Sequence, residues 1–473
     1  MKPKMKAFAI MLVALTMLLV TACSGSGGNT AQSPQEQPKT EAPKEEPKKE
    51  EPKEEPKEEP KSEKKELPAF DMGGEPVRFL TWGKGLEEGK SNAEDIRYKR
   101  MKEIEKKYNT KIEWITVPWG EGAEKIAQGA LSGEAPADFV ILDLYLAFPN
   151  LPNKGYLLPV DDLFDYNDPK WPKRIKEFSS FAGKSYGILE DSGAGAGIFF
   201  NRSMLKREGL GDPQELAKKG EWTWDKYLEM AKKATKDTNG DGATDQWGIV
   251  SYAPVQARQA VYSNAGSIID YKDGKLQFTL GEPNAMEALR FLGDLYTTHK
   301  VAMPNRNGNF EDYNESQKVF NSGKALFVPG EIWEGSTRQD MTDEYGFVYY
   351  PKGPKATDYA NPITNFTMWF MPANVKKAKE KAQIFEDMVP WDQLEEFRME
   401  GFESSLQSPE DVEIAQALAE KVQPLYYDNI GDLGKKYTEA VLAFVKGKDT
   451  PESAIEKIKK SSQEQIDTIM NKK

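Results

Sequence analysis

From Pro76 onwards, the hydrophobic positions of the chain follow two alternating patterns, one typical of strands and one typical of helices. The runs VRFLTW, KIEWITV and DFVILD are rich in β-branched and aromatic residues, as buried strands are. Between the first two runs, Met101, Ile104 and Tyr108 recur at helical spacing, and the helical pattern GEGAEKIAQGALSGE precedes the third. Strands that alternate with helices predict an α/β sheet.

Three residues with binding chemistry follow the ends of these predicted strands. Trp82 and Trp119 come just after the first two strands, and Asp143 closes the third. In open α/β sheets, ligands bind outside the carboxyl ends of the strands. The pattern therefore indicates a ligand site at this edge of the sheet.

The first residues of the chain form a targeting segment. Three lysines precede an apolar run over residues 7–20, which is too short to span a membrane, so residues 1–22 are predicted to be a signal peptide. Cys23, the only cysteine, follows small residues in VTAC, a motif that resembles a bacterial lipobox. We expect lipidation at Cys23; secretion with an incidental cysteine is the alternative.

Residues 23–74 are predicted to be a disordered tether. They contain repeats of the form PKEEPKEEPK, in which a proline about every fourth residue removes backbone donors and prevents a helix. Their low hydrophobicity and high charge favour an extended chain. The lipid and the tether together place the folded region, starting near Glu75, on the extracellular face of the cell membrane.

The composition and net charge of the chain argue against several classes of function. The chain has 473 residues, of which 38% are hydrophobic and 11% aromatic, which is enough apolar material for two or three domains. A net charge of −12 argues against a nucleic-acid partner. His299 is the only histidine, which excludes sites with several histidine ligands, and its place near the end of a helical pattern indicates a C-terminal helix cation.

Five segments, in order along the chain, carry a resemblance to a known family. They are LSGEAPADFVILD, NKGYLLPVDDLF, AGKSYGILEDSGAGAGIFFNRSMLKREGL, WTWDKYLEMAKKAT and FNSGKALFVPGEIWEG. Together they resemble family 1 of the bacterial extracellular solute-binding proteins, which deliver sugars to ABC importers. The resemblance runs from about Glu75 to the C-terminus.

The resemblance implies a two-lobed α/β clamshell with hinge crossovers, similar to periplasmic binding proteins. One lobe is expected over residues 75–189 and 348–395, and the other over residues 190–347 and 396–473. A carbohydrate ligand trapped between the lobes would favour the closed state, which permease subunits with a cytoplasmic ATPase would recognise. We also expect a monomer without enzymatic activity.

Aromatic and acidic residues near strand ends are the expected ligand contacts. Sugar rings stack their apolar faces on aromatic planes, while their hydroxyl groups bind carboxylates and amides. The expected contacts are Trp82, Trp119, Asp143, Tyr145, Asp191, Glu331, Trp333 and Trp369. Trp333 has further support, because the resembling family often keeps a pocket tryptophan at this place. For each of the other aromatic residues, a place in the core is the alternative.

The loop DTNGDGATDQWG resembles the opening of an EF-hand calcium loop. The expected ligands of a structural calcium ion are the side chains of Asp237, Asn239, Asp241 and Asp245 and the carbonyl group of Ala243. The twelfth position, which carries a bidentate glutamate in calcium sensors, is a glycine here. A solvated turn without metal is therefore the alternative.

Two other function classes remain open from the sequence. An extracellular glycosidase or lyase would also carry aromatic and acidic residues in a cleft, although the sequence isolates no carboxylate pair at a fixed separation. A surface scaffold protein would account for the tether but not for the order of the motifs. Ligand binding without turnover would favour the receptor.

Overall fold

The structure, a computed structural model, describes residues 69–191 and 193–470. The predicted signal peptide, Cys23 and the predicted tether up to residue 68 lie outside the described residues. Across the described part of the chain, no helix is both long enough and apolar enough to cross a membrane.

The strands of the described residues are named β1 to β15 in chain order. The runs VRFLTW, KIEWITV and DFVILD correspond to β1, β2 and β3, as their composition predicted. The strand bounds are Pro76–Thr81, Lys111–Thr116, Phe139–Asp143, Ser180–Phe181, Lys184–Ser185, Gly187–Ile188, Ala196–Asn201, Trp247–Ile249, Ile269–Lys272, Lys275–Phe278, Ala325–Glu331, Tyr345–Val348, Asn361–Ile363, Thr367–Phe370 and Val422–Pro424.

The helices of the described residues are named α1 to α16 in the same way. Several of them begin at a side-chain cap: at the start of α1, the Ser91 side chain accepts a hydrogen bond from the backbone of Glu94. The helix bounds are Asn92–Lys107, Glu121–Ser132, Leu144–Ala147, Asn150–Asn153, Ile175–Ser179, Arg202–Glu208, Pro213–Lys218, Trp224–Ala234, Ala253–Ser263, Pro283–Tyr296, Phe310–Asn321, Ala378–Met388, Leu394–Ser405, Pro409–Ala419, Leu433–Val445 and Pro451–Ile469, with 3₁₀ turns at Ile332–Arg338 and Tyr427–Asn429.

A five-stranded sheet in the order β2–β1–β3–β14–β6 forms the centre of what we call the first lobe. Strand β1 runs parallel to β2 and β3, whereas β14 returns antiparallel beside β3. Phe79 and Phe139 are register partners whose rings stack at 4.9 Å, and Phe385 of α12 packs on Phe139 at 5.0 Å. The helix α12 therefore covers one face of this sheet.

A four-stranded sheet in the order β12–β7–β11–β8 forms the centre of the second lobe. Every residue of β7 and of β11 is buried, as expected for continuous apolar strands covered on both faces. Phe327 of β11 packs against Trp222 and Tyr227, two side chains without solvent exposure. This core is separate from the core of the first lobe.

The chain crosses between the lobes at several points. Residues 189–195 link β6 in the first sheet to β7 in the second. The helix α13 also bridges the lobes, because Phe397 packs in the first core and Phe402 in the second. These crossings give the two-lobed architecture that the resemblance implied.

Two contacts lie close to the lobe boundaries predicted from the sequence. Phe70, within the predicted tether, stacks on Tyr108 of the first lobe with ring centroids 4.6 Å apart. Tyr350, just beyond the predicted boundary at residue 348, is buried in the core of the second lobe. The exact boundaries of the lobes stay predictions.

Candidate functional site

A cavity of about 760 Å³, which we call the cleft, is lined by residues of both lobes. Trp82, Trp119 and Asp143 reach it from the carboxyl ends of β1, β2 and β3. The opposite wall comes from α9, α11 and the end of β11 with the 3₁₀ turn that follows. The three strand ends singled out in the sequence thus meet at one site.

Exposed aromatic side chains are concentrated at this cleft. Trp119 of the first lobe and Trp333 of the second are 55% and 51% exposed. Phe310, at the start of α11, is also exposed and lines the same cavity. Large hydrophobic side chains left in water around a concave site indicate a surface that binds a ligand.

In the first lobe, a buried carboxylate fixes the exposed Trp119. The indole Nε1 of Trp119 donates to Oδ2 of Asp143 at 3.1 Å, and the hydroxyl of Thr367 donates to Oδ1 at 2.8 Å. Burial raises the pKa of Asp143, although both hydrogen bonds lower it. The hydrogen bond orients the indole while its ring stays accessible.

The second lobe repeats this arrangement with Glu331 and Trp333. The indole Nε1 of Trp333 donates to Oε2 of Glu331 at 2.8 Å, and Nδ2 of Asn365 donates to the same oxygen at 2.9 Å. Burial raises the pKa of Glu331 from 4.5 to about 7, against the opposing charge of Arg258. Each lobe therefore presents an exposed tryptophan whose N–H group is held by a buried carboxylate.

Two more of the predicted contacts, Trp82 and Tyr145, also line the cleft. Tyr145 lies in α3, directly after β3, and its backbone carbonyl accepts a hydrogen bond from Asn429. Burial raises the pKa of its phenol above the ordinary value. Six of the eight predicted residues are therefore gathered at one cavity: Trp82, Trp119, Asp143, Tyr145, Glu331 and Trp333.

Asp191 and Trp369 are not brought to the cleft and instead line a neighbouring cavity of about 380 Å³. Trp369 is the third residue of β14 and pairs with Ile141 of β3. Its ring packs edge-on against that of Phe79, with ring centroids 5.3 Å apart. Asp191 forms an ion pair with Arg398 at 2.5 Å. The covering of this sheet face by α12, which the local sequence does not show, keeps Trp369 away from the cleft.

Several residues that line the cleft were not anticipated from the sequence. They are Val255, Arg258, Gln259, Phe310, Tyr313, Ile332, Glu334, Ile363, Thr364, Asn365, Thr367, Asp428, Gly330 and the glycine-rich segment 193–195. One signal was present: α9 carries an arginine and two glutamines within the otherwise apolar stretch APVQARQAVYS. Polar side chains on a buried helix need partners, and a ligand can supply them.

The predicted calcium loop lies between α8 and β8, at the surface of the second lobe. The carboxylate of Asp237 accepts hydrogen bonds from the backbone N–H groups of Gly240 and Gly242, and Asp245 accepts from Thr238. Within residues 69–191 and 193–470, no three acidic, histidine or cysteine side chains are gathered to hold a metal ion. Calcium binding by this loop stays a prediction.

The fold is shared with solved structures of low sequence identity. A cyclo/maltodextrin-binding protein complexed with maltotetraose has a TM-score of 0.64 and 18% identity, covering 83% of this chain and 98% of that chain. An ABC substrate-binding protein from Listeria monocytogenes, in complex with cycloalternan, has a TM-score of 0.62 and 19% identity, with coverages of 85% and 100%. The GacH receptor of Streptomyces glaucescens, studied with acarbose, has a TM-score of 0.62 and 16% identity, with coverages of 84% and 99%. These similarities confirm the predicted two-lobed α/β fold.

The sequence itself matches a family description. The sequence model of the bacterial extracellular solute-binding proteins matches residues 90–386, a stretch longer than half of the chain. This stretch contains all five segments that carried the resemblance. The resemblance is thereby confirmed, and the chain belongs to the bacterial extracellular solute-binding protein family.

Proposed function

We propose that this protein captures an oligosaccharide between its lobes and delivers it to an ABC importer. The observation that carries the proposal is the pair of exposed tryptophans, Trp119 and Trp333, one from each lobe, whose N–H groups are fixed by buried carboxylates. Flat aromatic surfaces with polar groups beside them suit sugars, which have apolar ring faces and polar edges. Contacts made from both lobes favour the closed state.

The ligands of structurally similar proteins support this ligand class. Those proteins were crystallised with maltotetraose, cycloalternan and acarbose. The cleft volume of about 760 Å³ falls within the range of roughly 300–1,000 Å³ that is typical of small-molecule sites. An oligosaccharide is therefore a better match to this cleft than a macromolecule.

We propose that the protein binds its ligand without catalysing a reaction. A glycoside hydrolase needs a pair of carboxyl groups, one acting as an acid and the other as a base or nucleophile. In this cleft, Asp143 and Glu331 are each engaged by an indole and a second donor, which is the role of an orienting group. Since a carboxyl pKa of about 7 also suits a general acid, turnover has to be measured together with binding.

A sugar panel tests the function. Maltose, maltotriose, maltotetraose, cycloalternan and acarbose are added to the purified protein, and the melting temperature, the calorimetric heat and the products are recorded. We expect at least one sugar to raise the melting temperature without product formation, because a ligand that binds only the folded state stabilises it. Failure of every sugar to bind would reject the receptor, and product formation would establish an enzyme.

The proposed partners are the permease subunits of an importer, coupled to a cytoplasmic ATPase. The family description, an extracellular solute-binding protein, supports a site of action outside the cell. We expect the receptor to be a monomer, so that one closed molecule presents both lobes to the permease. Sedimentation of the sugar-bound protein would check the oligomeric state.

We further propose that lipidation of Cys23 anchors the protein to the cell membrane. The motif VTAC after an apolar run supports this proposal. In cells expressing Cys23→Ser, we expect the protein to move from the membrane fraction to the medium, because the proposed lipid can no longer be attached. A matched Ser26→Ala variant should stay in the membrane fraction. Equal membrane retention of Cys23→Ser and the unmodified protein would contradict the anchor.

A structural calcium ion in the loop around Asp241 is also proposed, on the support of the residue spacing. Binding requires Asp237 to exchange its backbone hydrogen bonds for metal contacts, so the expected stabilisation is modest. Chelation should lower the melting temperature by a few degrees, and calcium should restore it. Asp241→Ala should abolish the response, whereas the exposed control Asp340→Ala should keep it. A calcium-independent melting temperature in the unmodified protein would reject the site.

A further inference from the structure

One wall of the cleft carries buried polar atoms without partners. Arg258 and Gln259 of α9 are 8% and 2% exposed, and both line the cleft. Among the described residues, neither Nε of Arg258 nor Oε1 of Gln259 has a hydrogen-bond partner. Buried groups of this kind are rare in folded proteins, because leaving a donor or an acceptor unpaired costs free energy. Because Arg258 and Gln259 both line the cleft, a ligand bound there is a candidate partner for these two atoms.

The free atoms differ in their hydrogen-bonding character. Nε of Arg258 is a donor, whereas Oε1 of Gln259 is an acceptor. Nε2 of Gln259 donates one of its two hydrogens to the carbonyl of Pro362 at 3.3 Å. This bond identifies the nitrogen end of the amide. The atom without a partner is therefore the carbonyl oxygen, Oε1.

A carboxylate lies beside this pair. Asp428, in the 3₁₀ turn Tyr427–Asn429, lines the same cleft. Burial raises the pKa of Asp428, and the nearby positive charge of Arg258 lowers it. This wall therefore combines a cationic donor, a neutral acceptor and an acidic acceptor.

A hydroxyl group is the complement of such a set, because it donates and accepts at the same time. Its oxygen can accept from Arg258 while its hydrogen is donated to Gln259 or Asp428. An anionic group, such as a carboxylate or a phosphate, only accepts. It would leave Oε1 of Gln259 unpaired and would lie next to the carboxylate of Asp428.

The other charged residues of the cleft also disfavour an anionic ligand. Asp143 and Glu331 also line the cavity and add negative charge once they are deprotonated, above the raised pKa values that burial gives them. Glu334, the fourth acidic residue of the lining, is paired with Arg338 at 3.2 Å and contributes little net charge. Arg258 is the only cationic side chain among the described residues that line the cleft. An anionic ligand would therefore meet more acidic than basic groups.

We propose that Arg258, Gln259 and Asp428 form a hydroxyl-recognition patch, which makes the cleft select neutral sugars over uronic acids. This inference rests on the proposed function, since it specifies which carbohydrates the receptor binds. It assigns specificity to three residues outside the aromatic contacts. The tryptophans bind any sugar with an apolar face, whereas the patch discriminates by charge and by hydrogen-bond character.

The test uses the full chain, purified in detergent, on an array of neutral gluco-, galacto- and manno-oligosaccharides and the corresponding oligouronates. The best-bound glycan is then titrated into the unmodified protein and into Arg258→Met and Arg258→Lys. Arg258→Met removes the donors and the charge. Arg258→Lys keeps the charge but removes Nε, so it remains informative if the methionine variant does not fold. Arg290→Lys, at an exposed ion pair with Glu452, is the matched control.

We expect neutral glycans to bind and the matching oligouronates to bind at least tenfold more weakly. Each Arg258 variant should lose about tenfold or more in affinity, since a hydrogen bond from a charged donor is removed, and Arg290→Lys should lose none. Unchanged affinity in a folded Arg258 variant would overturn the patch but leave the receptor intact. Tighter binding of oligouronates would overturn the proposed selectivity, again without affecting the receptor. Absence of binding to every glycan would reject the proposed function and this inference with it.

Discussion

Replacement of Trp333 by alanine is expected to weaken binding of the best sugar in the panel by roughly thirty-fold to several-hundred-fold. The indole is 51% exposed, lines the cleft and offers a flat surface that a bound sugar would remove from water. Buried aromatic anchors of this kind contribute about 2–4 kcal/mol to binding. Truncation removes this surface, while the carboxylate of Glu331 keeps its hydrogen bond from Asn365.

The apo protein should tolerate this change, because a half-exposed side chain contributes little to the core. A core tryptophan would behave differently, since its removal would leave a cavity and lower the melting temperature by many degrees. Trp333→Phe keeps a ring but loses the N–H donor to Glu331. Its affinity for the sugar should lie between those of the unmodified protein and Trp333→Ala. Tyr271→Ala, at an aromatic residue that is exposed but does not line the cleft, should bind normally. Unchanged calorimetric affinity in well-folded Trp333→Ala would exclude Trp333 from the ligand site.

Replacement of Glu331 by glutamine is expected to raise the free energy of unfolding of the apo protein by up to about 3 kcal/mol above neutral pH. Burial raises the pKa of this carboxyl group from 4.5 to about 7. The difference between these values corresponds to roughly 3 kcal/mol of penalty on the charged form in the folded state. Glutamine has the same shape and no charge, and its carbonyl oxygen can accept the hydrogen bonds from Trp333 and Asn365. The carboxylate also accepts from the backbone N–H of Glu334, so the value of about 3 kcal/mol is the upper limit of the increase.

The direction of the pH dependence follows from proton binding. Below pH 4.5, the carboxyl group is protonated in both the folded and the unfolded chain, so its penalty is absent. Between 4.5 and about 7, only the unfolded chain has lost the proton, and stability falls as the pH rises. Above about 7 the full penalty is present. Glu331→Gln should remove this part of the pH dependence.

Urea unfolding at several pH values, from about pH 4 to about pH 9, measures this difference. The stability of Glu331→Gln should approach that of the unmodified protein at acidic pH and exceed it at alkaline pH. Glu413→Gln, at an exposed position of α14, provides the control. If the curves of the two proteins run parallel, the carboxyl group of Glu331 titrates as an ordinary glutamate. A stabilised variant that binds sugar poorly would show that this carboxylate is kept for binding at the expense of stability.

The local patterns of the sequence predicted much of the framework. Apolar runs located β1, β2 and β3, and the rule that ligands bind at the carboxyl ends of strands led to Trp82, Trp119 and Asp143. These predictions need only the periodicity of one strand and its end, which are local properties. The family was also accessible from the sequence, because five ordered motifs occur in it.

Other parts of the site depend on contacts between distant segments. Thr367 and Trp369 lie on the same face of β14, yet only Thr367 reaches the cleft, because α12 covers the sheet at Trp369. Nothing in the sequence around Trp369 indicates this cover. Asp191 likewise does not line the cleft and forms an ion pair with Arg398, which lies far away in the chain.

The polar wall of the cleft shows most clearly that part of the site cannot be predicted from local sequence. The helical pattern of α9 is local, but whether Arg258 is paired in the core or left for a ligand depends on which side chains pack around it. Asp428 reaches the same wall from a 3₁₀ turn near the C-terminus. Sequence periodicity shows which residues of an element are apolar, whereas the packing of distant elements decides which polar residues are enclosed together. Several strands, several helices and the family could thus be predicted from the chain, whereas the polar composition of the site depends on the packing of distant segments, such as α9 and the 3₁₀ turn that carries Asp428.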